Sequence, residues 1–84
     1  MYIGSPDNNE GVIGFGADFA QSGGAVTSYT AKDTSAGVMR VDNGALYYYA
    51  DTGLTAGNSF TPTQRFLVEA NGNTTIGGTL SVAG

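Results

Sequence analysis

Three consecutive tyrosines, Tyr47-Tyr48-Tyr49, are the side chains of this chain best suited to meet a ligand. In an extended segment successive side chains point to opposite faces, so Tyr48 leaves on one side and Tyr47 with Tyr49 on the other. Tyrosine rings stack on sugar rings while their hydroxyls hydrogen-bond, which makes Tyr47 and Tyr49 the candidate glycan contacts. A plainer role competes with this one. If the flanking runs pair as a hairpin, Tyr47 lies opposite Arg40, and a ring beneath a guanidinium stabilises a sheet with no ligand at all.

Catalytic chemistry finds little to work with. Serine or cysteine nucleophiles need a neighbouring base, usually histidine, and the chain has neither His nor Cys. Two of its seven carboxylates could in principle form a glycosidase pair. Most of them, however, adjoin turn residues, where a carboxylate serves as a cap or a solvated surface group. The chain is therefore expected not to be an enzyme and to carry no cofactor. Without cysteine there is no disulfide, and without His or Cys a zinc site has lost its usual ligands. Asp7, Asn9 and Glu10 offer oxygens to calcium, but their spacing departs from the D-x-[DN]-x-[DN]-G loop, and residues 4–11, with Ser5-Pro6 and Asp7-Asn8-Asn9, read as an exposed turn. Gly14-x-Gly16 lacks the third glycine and following helix of a dinucleotide fingerprint. Its glycines are expected to let another backbone approach closely, as a tightly wound multi-chain β structure requires.

Charge narrows the partners. The net charge is −4, and Lys32, Arg40 and Arg65 are the only cations. Three scattered cations cannot neutralise a phosphate backbone, so nucleic acid is not an expected partner. The longest apolar runs, such as residues 45–50, fall far short of the roughly 20 residues of a membrane-spanning helix. Nor do the first residues follow a basic segment with an apolar one in the manner of a signal peptide.

The elements that must position these residues are strands. Residues 1–3, 12–17, 25–30, 37–42 and 45–50 are rich in branched, aromatic and alternating apolar side chains, and Gly, Asn and Ser turns separate them. Two Asn-Gly pairs mark hairpins, because Asn-Gly readily takes the two positive φ angles of a type I′ turn. At Asn43-Gly44 the expected register sets Val41 opposite Leu46 and Met39 opposite Tyr48 on one face, with Arg40 opposite Tyr47 and Val38 opposite Tyr49 on the other. At Asn71-Gly72 it sets Leu67 opposite Ile76, with Phe66 and Val68 on the opposite face. Leu80 and Val82 then share a face of a further strand. No stretch has a capped 3.6-residue period, and 18–21 would make one helical turn at most. The expectation is an all-β chain of six or seven short strands.

Such a chain is short of core. Val, Ile, Leu and Phe total 17 of 84 residues, while the 14 glycines lose the most freedom on ordering. Small folds with a thin core depend on disulfides, metals or partner subunits; the first are excluded here and zinc nearly so. Association with further copies is the expected stabiliser.

The string R-F-L-V-E-A-N-G-N-T-T-I-G-G-T-L-S-V-A-G at residues 65–84 resembles a segment of bacteriophage tail fibres and tailspikes, as does the lead-in G-N-S-F-T-P at 57–62. Glycine-rich short-strand repeats occur in bacterial surface adhesins as well. The resemblance implies an intertwined parallel homotrimer, β-prism or triple-stranded β-helix-like, that joins other virion tail proteins and supports attachment to the host surface. It would be assembled in the host cytoplasm and reside in the virion. The alternatives are a carbohydrate-binding receptor-recognition module and a module of an adhesin on the bacterial cell surface. On this reading residues 1–54 form a β-rich module and 55–84 a hairpin and the start of a shaft-like repeat, within a fragment of a longer chain. Gly44, Gly72, Gly77 and Gly78 become structural turns and close-packing points, and Phe66, Leu67, Val68, Ile76, Leu80 and Val82 fill an inter-chain core.

Overall fold

A computed structural model describes residues 1–7, 9–23 and 25–82. The regular elements among them are all strands: β1 (Tyr2–Asp7), β2 (Glu10–Phe15), β3 (Ala17–Ser22), β4 (Ala25–Ala31), β5 (Ala36–Asp42), β6 (Ala45–Asp51), β7 (Ser59–Phe60), β8 (Gln64–Val68) and β9 (Thr74–Ile76). They pair antiparallel into a six-stranded sheet of order β1-β2-β5-β6-β8-β9 and a three-stranded sheet of order β3-β4-β7. The all-β expectation holds, with nine strands in place of six or seven.

The two Asn-Gly turns behave differently. At the first, Asn43 and Gly44 both take positive φ, 50° and 83°, as a two-residue type I′ loop requires. The β5–β6 register then has the expected pairs Val41 with Leu46, Arg40 with Tyr47, Met39 with Tyr48 and Val38 with Tyr49. At the second, only Gly72 has positive φ, 92°. Glu69 accepts from the Gly72 amide and donates to the Asn73 carbonyl, both at 2.8 Å, which closes a three-residue loop over 70–72. An Asn71 side-chain oxygen that accepts from the Asn73 amide at 3.0 Å holds this wider turn. The extra loop residue moves the register by one, so Phe66, rather than Leu67, lies opposite Ile76.

Three further expectations are corrected. Residues 4–7 and 10–11 are strand and not an open loop, because β1 and β2 pair antiparallel, with Gly4 opposite Val12 and Asp7 opposite Glu10. Residues 18–21 lie within β3 instead of a helical turn, since Phe19 and its neighbours alternate between core and solvent at period two. Residues 79–82 form no strand, and the sheet ends at β9.

Gly14-x-Gly16 is the corner between the sheets. Gly16, at φ 69°, turns the chain from β2 into β3, and a Cβ on it would lie 2.5 Å from the Ser35 carbonyl oxygen. A Cβ on Gly14 would lie 2.5 Å from the Ala17 carbonyl oxygen. The close backbone approach is real, and the backbone that approaches is the chain's own.

The small sheet covers one face of the large one near β1, β2 and β5. Val12, Ala17, Phe19, Ala36 and Val38 are buried there, with Val26, Tyr29, Tyr49, Leu54 and Phe60 packed against them. Phe19, Tyr29 and Phe60 run as a chain of tilted rings with centroids 6.2 and 6.1 Å apart. The outer face of the small sheet follows the usual alternation, presenting Asp18, Ala20, Ser28 and Thr30. The outer face of the large sheet does not.

Candidate functional site

The candidate glycan contacts lie on the covered side of the large sheet, just beyond the small sheet. Arg40 of β5 is the hub. Its Nε donates to the Glu10 carboxylate, its Nη2 to Asp42 Oδ2 at 2.6 Å, and its Nη1 to the Tyr49 hydroxyl at 3.3 Å. The guanidinium stands 5.0 Å from the centre of the Tyr47 ring, and Tyr47 and Tyr49 stack at 6.1 Å and 12°. Strand alternation explains the cluster: Glu10 pairs with Asp42, Arg40 with Tyr47 and Val38 with Tyr49, all on one face. Burial alone would lower the Arg40 pKa, but the hydrogen bonds with Glu10 and Tyr49 outweigh it and hold the guanidinium above its ordinary value.

Glu10 departs most from expectation. Its side chain is 5% exposed and paired with Arg40, not a solvated turn carboxylate. Its position two residues before Val12 and four before Gly14, the inward-facing phase of β2, was the available signal. A cleft of about 260 Å³ bounded by Glu10, Val26, Tyr29, Arg40, Tyr49 and Pro62 opens beside this pair. Burial raises the pKa of Tyr29 within it; the charge of Arg40 opposes that rise, and Tyr49 and Glu10 add to it. Tyr47 and Tyr49 are half-buried, one ring beneath Arg40 and both against each other, so the sheet-stabilising contact is present. Among the described residues, no three His, Cys, Asp or Glu are grouped to hold a metal ion.

The opposite face of the large sheet carries a different constellation. Cross-strand pairing aligns Ile3 with Ile13, Ile13 with Met39, Met39 with Tyr48, Tyr48 with Phe66, and Phe66 with Ile76. Directly paired residues share a face, so one apolar side chain from every strand forms an unbroken row across the sheet. Val41, Leu46 and Val68 form a second row beside it, and Phe15 lies on the other flank. Ile3 is 64% exposed, and Phe15, Met39, Val41 and Tyr48 between 40% and 47%. All three isoleucines of the chain stand here and none in the core.

The remaining architectural residues divide. Gly44 and Gly72 occupy turns at positive φ. Gly77 backs onto its own β8, where a Cβ would lie 3.1 Å from the Gln64 carbonyl oxygen, while Gly78 borders open space. Phe66, Val68 and Ile76 face outward in the apolar rows, and Leu67, paired with Tyr47, faces the Arg40 side. Leu80 and Val82 lie beyond β9, 67% and 83% exposed.

No family model, curated protein or solved structure matches this chain.

Proposed function

We propose that the chain is a structural, self-associating segment of a phage tail fibre or tailspike, a parallel homotrimer of β-prism type that supports attachment of the virion to its host. The observation that carries the association is the imbalance between core and surface. Among the described residues Val12 and Val38 are the only large side chains buried to below 2% exposure, whereas the open face holds more strong core formers than the core does. A chain that buries so little apolar surface within itself gains most of its stability by covering the rest with further copies. The fibre context is supported by the R-F-L-V-E-A-N-G-N-T-T-I-G-G string and its lead-in. In this role the chain acts as shaft, collar or connector, with other tail proteins as neighbours.

Light scattering after size exclusion tests this reading. A molar mass of about three chains is expected, the closed homotrimer that the fibre resemblance implies. A folded species of one chain's mass at all concentrations would overturn it.

A further inference from the structure

The geometry points to the outer row Ile3–Ile13–Met39–Tyr48–Phe66–Ile76 as the surface through which copies meet, with the β1–β2 end of one copy set against the β8–β9 end of the next. The assignment rests on the trimeric reading above and names the surface that serves it.

Three observations select a further copy of this chain as the occupant. The first is charge. The row and its flanking residues Phe15, Val41, Leu46 and Val68 include no ionised side chain. In a chain of net charge −4, this is a face along which copies approach with little repulsion, since the two ionised side chains that border it beside Phe15, Asp51 and Arg65, are of opposite sign. The second is area. The exposed parts of these side chains amount to on the order of 500 Å² per copy, about 1,500 Å² over the three copies that would enclose one interior, an apolar area that a soluble chain rarely leaves uncovered.

The third observation is the order of side-chain sizes along the row. Six strands span five spacings, about 24 Å in all. Three such walls enclose a triangular space whose axis lies about 7 Å from the middle of each wall, closing to nothing at the corners; facing sheets ordinarily allow only about 5 Å each. Long side chains are therefore needed in the middle and shorter ones at the edges. Met39 and Tyr48 occupy the middle, the branched, shorter Ile3 and Ile76 occupy the two edges, and Ile13 and Phe66 lie between. Each corner then brings Ile3 and Ile13 of one copy against Phe66 and Ile76 of its neighbour, a head-to-tail contact that closes after three copies.

The test uses Met39→Asp, with Ser28→Asp on the polar outer face of the small sheet as control, each measured by light scattering beside the wild type. A buried, unpaired carboxylate at position 39 cannot be accommodated between copies. Met39→Asp should fall from about three chains to one while Ser28→Asp keeps the wild-type mass. A Met39→Asp protein that retains the wild-type mass overturns this surface and leaves the trimeric reading intact, whereas a wild type that is itself one chain removes the trimeric reading. Should Met39→Asp fail to fold, peroxide oxidation of the wild type decides. The chain has two methionines, Met1 at 75% and Met39 at 41% exposure, which on an open face would oxidise within about a factor of two of each other. Protection of Met39 by more than about tenfold relative to Met1 is the expected result, and similar rates would overturn the assignment.

Discussion

Replacing Arg40 by methionine keeps most of the side chain's apolar stem and removes its charge from the centre of the inner cluster. The Glu10 carboxylate, 5% exposed, then loses its cationic partner, and Asp42 and the Tyr49 hydroxyl lose a donor. Breaking a buried ion pair from one side costs about 3–5 kcal/mol, because the remaining charge stays in a low-dielectric site. Glu10→Gln should cost less, about 1–2 kcal/mol, since Arg40 keeps Asp42 at 2.6 Å and is itself 27% exposed to water. In the double variant Arg40→Met strands no buried charge, so its cost there should fall to about 1–2 kcal/mol, leaving a coupling of about 2 kcal/mol between the two sites. Urea unfolding followed by far-UV circular dichroism measures all four proteins, at one fixed protein concentration because association adds to apparent stability. A loss below about 1 kcal/mol for Arg40→Met, or additivity within about 0.5 kcal/mol, would refute the reasoning.

The backbone and the titrating groups give further expectations. Gly14→Ala should lose about 2–3 kcal/mol, because the new Cβ meets a backbone oxygen 2.5 Å away that cannot yield as a side chain would; a neutral effect in thermal melts would contradict the corner geometry. Gly44→Val and Gly72→Val each place a β-branched residue at φ near +90°, 83° and 92° respectively, and each should cost about 1–2 kcal/mol, so an unchanged melting temperature at either site would contradict that turn. The raised pKa of Tyr29 means that the folded state holds its phenolic proton longer than the unfolded one. Stability should therefore be complete below the ordinary value of 10.0 and fall as pH rises from there through the folded value. Tyr29→Phe should flatten that alkaline loss, and an identical pH profile in the two proteins would show the group to be uncoupled from folding.

Much of the fold was legible because alternation and turn chemistry are local. The Asn43-Gly44 hairpin could be placed to the residue, since a two-residue loop leaves one register and both flanking strands alternate cleanly. Asn71-Gly72 carries the same dipeptide and closes a longer loop, because Asn71 bonds the Asn73 amide rather than taking positive φ itself. Nothing in the dipeptide distinguishes the two outcomes, and a shift of one residue is enough to take Ile76 from the face of Leu67 to that of Phe66. The turn formers beside Glu10 favour a solvated carboxylate, yet its partner Arg40 is 30 residues away in sequence and only the β2–β5 pairing brings them together. The outer row was partly visible, in the pairing of Met39 with Tyr48. Its extension to Ile3 and Ile76 depends on strand order across six strands, which no local pattern fixes.

The central claim, that the outer face of the large sheet is where copies of this chain meet head to tail, is tested most directly by cross-linking a cysteine pair. The chain has no cysteine of its own, so Ile13→Cys/Phe66→Cys introduces the only thiols. Within one copy the two sites stand three strand spacings apart, about 14 Å, beyond the reach of a disulfide between Cα atoms at most about 7 Å apart. Oxidation should yield covalent dimers and trimers on a non-reducing gel, with either single variant giving no trimer. Double-variant protein that remains single-chain after oxidation, while running at about three chains in solution, would contradict the account.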